Sequence, residues 1–127
     1  MLSVDLPPEP SSATRARRLA REQLEASYPT DTLEADRLET IALLVTELVT
    51  NAILHARTPL QLTLESRPGR VRIGVEDESN EQPSVRRYET DAVTGRGLAL
   101  VEELASSWGV DVTPSGKVVW CEVLVKT

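Results

Sequence analysis

The sequence predicts an α+β fold, a two-layer sandwich in which helices cover one face of a mostly antiparallel mixed sheet. Three observations lead to this prediction. Apolar residues recur every three or four positions from Asp36 to Ala56, which is typical of a helix with one buried face. Apolar and polar residues alternate from Leu60 to Val75, which indicates a half-buried hairpin. A second alternating region, from Val110 to Val125, predicts a closing hairpin.

The first part of the chain is predicted to hold one strand and two helices. Residues 3–6 form a short strand that ends where a proline-rich segment begins, because proline cannot continue a strand ladder. A helix with Ser11 or Ser12 as its N-cap then runs to about Ala26. The long helix follows, and it ends before Pro59 because the residue preceding proline avoids helical backbone angles.

The second part adds the two hairpins and a third helix. Residues 76–94 are polar and show neither period, so they predict a long loop of the kind that often has a function. Gly95-Arg96-Gly97 then introduces a helix from Leu98 to about Ser106. Trp108 and Gly109 are expected to turn the chain into the closing hairpin. The predicted order is β-α-α-β-β-loop-α-β-β.

Composition limits the classes of function. The length of 127 residues suits a single domain spanning residues 1–127. A net charge of −6 argues against direct binding of nucleic acid, because phosphate recognition needs an excess of Lys and Arg. The single cysteine, Cys121, excludes a disulfide within the chain and fits a reducing compartment. No apolar run looks long enough to span a bilayer and no signal peptide is recognisable, so we expect a cytoplasmic protein without a membrane partner.

The long helix has an unusual second face. Glu47 and Asn51 are four residues apart and therefore share one side of the helix, where they are surrounded by Leu43, Leu44 and Leu54. We expect this face to be covered. A buried carboxylate or amide without a partner is costly, so protein, water, a metal or a ligand must satisfy these two groups.

Together with two other polar sites, this pair suits a nucleotide. Gly95-Arg96-Gly97 at a helix start would offer backbone N–H groups to phosphates. Asn51 could supply one oxygen to Mg²⁺, and Asp77 at a strand end could accept a hydrogen bond from an exocyclic amine. Glu47 would then be placed to activate a hydroxyl or a water beside the γ-phosphate. Each site taken alone also has a purely structural explanation, as a surface glutamate, a turn cap or helix punctuation.

Several other nucleotide and hydrolase chemistries are excluded. The sequence has no P-loop, and the Asp-Phe-Gly motif of eukaryotic-type kinases is impossible because the chain contains no Phe. The one histidine, His55, has no Gly-x-Ser-x-Gly partner motif for a hydrolase triad. We interpret His55 as a residue favoured by the dipole at the helix C-terminus.

Three segments resemble the motifs of a known family. Thr46-Glu47-Leu48-Val49-Thr50-Asn51-Ala52-Ile53-Leu54-His55-Ala56 resembles an N box, Val75-Glu76-Asp77 resembles the start of a first glycine box, and Thr94-Gly95-Arg96-Gly97-Leu98 resembles a second. The chain thereby resembles the GHKL-type (Bergerat-fold) ATP-binding domains, in particular the anti-sigma-factor serine kinases and the related small regulators of actinobacteria. The resemblance extends over nearly the whole chain.

The resemblance implies ATP and Mg²⁺ as cofactors. Asn51 would bind Mg²⁺, Glu47 would act as general base, Asp77 would bind the adenine amino group, and residues 78–94 would form a lid. The implied nucleotide-binding residues are Asn51, Asp77, Ser79, Gly95, Arg96, Gly97 and Leu98.

Two departures from the family pattern concern the adenine. The first glycine box normally reads Asp-x-Gly-x-Gly, whereas this chain has Ser79 at the first glycine and no second glycine. Gly116-Lys117-Val118-Val119 stands where the family tends to have Gly-Thr-Thr, so no hydroxyl is offered to the purine. We expect ATP binding that is retained but weaker, with assistance from a partner.

Two functions follow from these observations. The first is an anti-sigma-factor-type serine kinase that phosphorylates an anti-sigma-factor antagonist, binds a sigma factor in its alternative state, and so controls transcription by partner switching. Retention of Glu47 favours it. The second is a non-catalytic, ATP-responsive interaction module, which the altered first glycine box favours. A homodimer could form through the edge that the N-terminal strand supplies.

Overall fold

The computed structural model describes residues 1–28, 33–79 and 95–125, except for the side chains of residues 95–97. Its elements, in chain order, are β1 (Leu2–Leu6), α1 (Pro10–Ser27), α2 (Ala35–His55), β2 (Leu60–Arg67), β3 (Arg70–Asp77), α3 (Gly95–Leu104), β4 (Ser107–Thr113) and β5 (Gly116–Leu124). The order of these elements is the predicted one. The expected loop over residues 76–94 begins later, since Glu76 and Asp77 belong to β3, and residues 80–94 lie outside the described part.

The five strands form one sheet in the order β1-β2-β3-β5-β4. Each of the four pairings among the described strands is antiparallel, so the sheet is more regular than the mixed sheet that was expected. β3 is central and pairs with β2 on one side and β5 on the other. The predicted α+β fold, with helices packed on an antiparallel sheet, is confirmed.

The core lies between the helices and one face of the sheet. Alternate residues of β2 and β3 are fully buried because successive side chains of a strand point to opposite faces. They pack with the apolar stripe of α2 and with small residues of α1. The sheet contributes Leu62, Leu64, Val71, Ile73, Val75, Val119, Cys121 and Val123, and the helices contribute Ala16, Ala20, Leu24, Ile41, Leu44, Val45, Leu48 and Val49.

The second face of α2 is only partly covered. Leu44 is fully buried, but Leu43 is 37% exposed and Leu54 is 41% exposed. The expectation that all three leucines are covered is therefore wrong for Leu43 and Leu54. Leu44 is buried because it lies one turn before Leu48, on the edge of the core stripe.

α2 is also apolar enough to pass a simple membrane test. By length and composition alone, Ala35–His55 could cross a bilayer, contrary to the expectation that no such run exists. Nearly half of that stretch, 44%, is buried inside the fold. The central helix of a packed domain meets the same criteria, and its apolar stripe faces the sheet and α1.

The first helix starts earlier than predicted. α1 begins at Pro10 with Glu9 as its N-cap, and no side chain caps it. Proline is well suited to the first helical position because its missing N–H would have no helical partner. Ser12 lies inside the first turn, where its hydroxyl donates a hydrogen bond to the Pro7 carbonyl oxygen over 2.7 Å. The expected cap at Ser11 or Ser12 is therefore wrong.

The region after α3 also differs from the prediction. α3 runs from Gly95 to Leu104 rather than from Leu98 to Ser106. Trp108 and Gly109 lie within β4 and do not turn the chain. A Cβ atom at Gly109 would lie 2.8 Å from Cζ2 of Trp120 on the paired strand. The glycine accommodates the neighbouring indole, a reason that local sequence does not reveal.

Candidate functional site

The two polar residues of α2, Glu47 and Asn51, are buried to different extents. Asn51 is 5% exposed, and its side-chain oxygen Oδ1 has no hydrogen-bond partner among the described residues. Glu47, one turn earlier, is half-buried. A buried acceptor left without a partner costs roughly 1–3 kcal/mol, so Asn51 is better explained by a ligand than by packing.

The Asn51 oxygen fits a metal that takes most of its ligands from elsewhere. The described residues contain no group of three or more His, Cys, Asp and Glu side chains that could hold a metal ion. Mg²⁺ usually keeps several waters and phosphate oxygens and takes only one or two protein oxygens. Asn51 would be such a ligand for Mg²⁺ that arrives with a nucleotide.

Asp77 lies at the end of β3, and its carboxylate is buried and already engaged. Lys117, the directly opposite residue of β5, places its ammonium Nζ 3.0 Å from Oδ1 and 3.0 Å from Oδ2 of Asp77. The Ser79 backbone N–H donates to Oδ1 over 2.9 Å. Only 2% of the Asp77 side chain and 5% of the Lys117 side chain are exposed. The predicted adenine-binding carboxylate is thus one half of a buried ion pair.

Backbone packing holds this pair in place. A Cβ atom at Gly116 would overlap the Asp77 carbonyl oxygen, so only glycine lets β5 begin this close to β3. On the other side, the Glu78 backbone N–H donates to Thr58 Oγ1 over 2.9 Å. The end of β3 is therefore fixed from both sides, and Lys117 is brought opposite Asp77.

The predicted phosphate-binding segment lies at the start of α3. The helix begins at Gly95, so Gly95-Arg96-Gly97 forms its first turn and does not precede it. The N–H groups of a first helical turn have no helical acceptor and suit an anion. Leu98 is buried in the core cluster that also holds Leu48 and Val49 of α2. Its side chain packs, and only its backbone could contact a phosphate.

An open cavity of about 480 Å³ lies against the outer end of β3. It is lined by Asp5, Pro59, Leu60, Gln61, Glu76, Asp77, Glu78 and Ser115. Four of these residues are carboxylic acids, and like charges repel phosphate. The cavity therefore does not offer a second phosphate site.

Lys117 is the site residue that sequence reasoning missed. The sequence had shown only that Lys117 lacks the hydroxyl that a purine-binding residue would offer. One signal was present. Lys117 is an even number of residues from Val119, Cys121 and Val123, which all point into the core, so it lies on the same face of the strand. A lysine at an inward position of a strand requires a buried partner. Its identity depended on the pairing of β5 with β3, which are distant in sequence.

A second buried charge lies at the other end of β5. Glu122 contacts three arginines, Arg67, Arg70 and Arg72, at 3.5–3.6 Å. Arg72 also stacks over the ring of Trp120 with 4.1 Å to its centroid. Cys121 lies next to this cluster. The pKa of its thiol is raised to about 12, mainly by burial and to a lesser extent by the negative charge of Glu122. Cys121 is buried, as predicted, and remains a neutral thiol near pH 7.

The geometry defines a class of fold: a helix-covered antiparallel sheet with an acidic residue at a central strand end and, on the central helix, an asparagine whose oxygen has no partner within the described part of the chain. Comparison with known families agrees. Residues 6–122 match the histidine kinase-like ATPase domain, and the chain belongs to this family. The GHKL-type fold and an ATP-binding regulatory role follow from that membership.

The solved structures that are similar to this chain include a histidine kinase domain, which matches over part of its length. It is the histidine kinase domain of a blue-light activated histidine kinase from Erythrobacter litoralis EL346, with 26% sequence identity and a TM-score of 0.52. The match covers 68% of this chain and 46% of that one, so this chain corresponds to less than half of the kinase structure. No curated protein matches the sequence.

Proposed function

We propose that this protein is a cytoplasmic serine kinase of the anti-sigma-factor type, which phosphorylates an anti-sigma-factor antagonist and controls transcription by partner switching. The observation that supports it most is the buried Oδ1 of Asn51, which lacks a partner among the residues that the structure describes and lies one helical turn after the half-buried Glu47. This arrangement provides an oxygen for a nucleotide-bound cation beside a carboxylate that can accept a proton.

In the proposed reaction, the serine hydroxyl oxygen of the antagonist attacks the γ-phosphorus of ATP. The bond between that phosphorus and the β,γ-bridging oxygen breaks, and ADP leaves. Glu47 accepts the proton of the hydroxyl. Bound Mg²⁺ would neutralise phosphate charge, and Asn51 would help to hold it. The first turn of α3 would donate backbone N–H groups to the phosphates.

A second function has an observation in its favour. The Asp77 carboxylate, which would bind the adenine amino group, is engaged by Lys117 at 3.0 Å from both oxygens. A site whose base-binding acid is already paired suits a module that responds to nucleotide without transferring phosphate. In that case a change of shape, and not phosphorylation, would alter partner binding.

The two functions are separated by phosphate transfer. The purified protein is incubated with γ-labelled ATP, Mg²⁺ and candidate antagonist proteins, and label on serine is measured. We expect transfer to an antagonist. Glu47→Gln should abolish transfer and leave nucleotide binding unchanged, whereas the control Glu25→Gln, at an exposed position of α1, should do neither. If the protein binds ATP tightly but no antagonist becomes labelled, the kinase function is refuted and the nucleotide-responsive module remains as the proposed function.

Both functions require nucleotide binding, which calorimetry tests directly. We expect ADP and ATP to bind in the presence of Mg²⁺, and Asn51→Ala to weaken this binding. If neither nucleotide binds, and Asn51→Ala changes nothing, both functions are refuted. A sigma factor is the proposed alternative partner, and a homodimer through the edge strand β1 is the proposed assembly, since β1 pairs with β2 on one side.

A further inference from the structure

The Asp77–Lys117 pair has hydrogen-bonding capacity left over. An ammonium has three donors. Lys117 donates one hydrogen bond to Oδ1 of Asp77 and lies 3.0 Å from Oδ2 as an ion pair. A carboxylate accepts about four hydrogen bonds, and among the described residues the Lys117 ammonium and the Ser79 N–H each donate one, both to Oδ1. At least one ammonium donor and one acceptor position on Oδ2 therefore remain side by side. The described residues supply no further hydrogen-bond partner to the Lys117 ammonium.

A lone carboxylate selects adenine, whereas this pair can bind either purine. A carboxylate by itself accepts a hydrogen bond from the amino group of adenine and repels the carbonyl oxygen at the same position of guanine. With an ammonium beside it, the carbonyl oxygen has a donor. Adenine then gives its amino hydrogen to Asp77 and accepts from Lys117 at a ring nitrogen. Guanine, shifted by one position along its hydrogen-bonding edge, gives its ring N–H to Asp77 and accepts from Lys117 at its carbonyl oxygen.

We propose that Lys117 is a specificity-determining residue that makes the base site accept guanine as well as adenine nucleotides. This inference rests on the proposed function, because it assumes that a purine reaches Asp77. The lysine stem is flexible and its ammonium has three rotatable donors, so it can follow the acceptor from a ring nitrogen to a carbonyl oxygen. The lysine thus removes the basis on which a single acid discriminates between the two purines.

Competition binding tests the proposal. A fluorescent ATP analogue is displaced by ATP and by GTP, with Mg²⁺ present, from the wild-type protein and from Lys117→Met. The wild type should bind GTP with a dissociation constant within about tenfold of that for ATP. Lys117→Met should raise the ratio of the GTP dissociation constant to the ATP dissociation constant by about tenfold or more.

Three results would overturn the proposal while leaving the proposed function intact. The first is a wild-type protein that binds ATP but binds GTP more than about tenfold more weakly; it needs no variant and decides the question even if Lys117→Met does not fold. The second is an unchanged ratio in folded Lys117→Met. The third is an equal increase in the affinity of Lys117→Met for ATP and for GTP, which would show that the lysine competes with the base for Asp77. If the wild type binds neither nucleotide, the proposed function fails with it.

Discussion

The buried pair of Asp77 and Lys117 should have a much larger coupling energy than the exposed ion pair of Arg21 and Glu39. Lys117→Met would leave the Asp77 carboxylate buried without its counter-charge, because only 2% of that side chain is exposed. Removing one member of a buried pair typically costs about 3–5 kcal/mol. A domain of ordinary stability has about 5–15 kcal/mol in total, so the variant should unfold at a much lower urea concentration.

A double-mutant cycle isolates the interaction from the rest of each side chain. Asp77→Asn, Lys117→Met and the double variant are compared with the wild type by urea unfolding, followed by tryptophan fluorescence and circular dichroism. We expect the double variant to be more stable than the sum of the single losses implies, with a coupling energy of about 2 kcal/mol or more. Removing both charges together leaves neither one buried alone.

The exposed pair of Arg21 and Glu39 is the matched control. Its guanidinium nitrogen and carboxylate oxygen are 2.6 Å apart, closer than the 3.0 Å of the buried pair, but the side chains are 36% and 51% exposed. Water screens such a pair, and cycles of this kind give about 0.2–1 kcal/mol. Distance alone would rank the two pairs the other way. A coupling for Asp77 and Lys117 no larger than that for Arg21 and Glu39 would refute the buried geometry.

Three further predictions concern other parts of the site. Asn51→Leu should raise the free energy of unfolding by about 1 kcal/mol, because it removes a buried oxygen that has no partner among the described residues. It should also weaken Mg²⁺-dependent nucleotide binding. Urea unfolding and calorimetry measure the two effects, and a loss of stability would show that Asn51 is satisfied in the folded protein. Gly116→Ala should cost about 2 kcal/mol or more, because its Cβ overlaps the Asp77 carbonyl oxygen, whereas Ser115→Ala at the exposed turn should change the urea midpoint little. Cys121 should destabilise the fold as pH rises from roughly 9 towards 12, because the unfolded thiol loses its proton first while the buried one, with its pKa at about 12, keeps it. This effect should lower the free energy of unfolding by no more than about 1.4 kcal/mol per pH unit, measured at pH 8 and 10. If Cys121→Val shows the same dependence of unfolding free energy on pH, Cys121 is not its source.

Elements with a strong period could be predicted from the sequence, and those shaped by distant contacts could not. The apolar stripe of α2 and the alternation in β2 and β3 report burial directly, so these elements were predicted to within a residue or two at most ends. Gly109 was misread as a turn residue because its reason for being glycine is Trp120 on another strand. Ser12 was misread as a cap because its hydroxyl bonds to Pro7 and not to the helix.

The same distinction applies to the site. Asn51 could be singled out because one helix places it among apolar residues, and its unsatisfied oxygen fits that reasoning. Asp77 could be placed at a strand end, but its partner could not be named. Lys117 is 40 residues away in sequence and meets Asp77 only through the register of β3 with β5. A cross-strand pair of this kind is fixed by sheet topology, which a local pattern does not contain.

The two ends of the candidate site can therefore change independently. Asn51 and Glu47 are held by a single helix, so their spacing does not depend on the sheet. Asp77 and Lys117 are held by the pairing of two strands and by the close approach at Gly116. A substitution at the strand pair should alter base preference and affinity while the asparagine and glutamate stay one turn apart. Asn51→Leu and Lys117→Met should consequently have separate effects, the first on cation-dependent binding of every nucleotide and the second on the choice between purines.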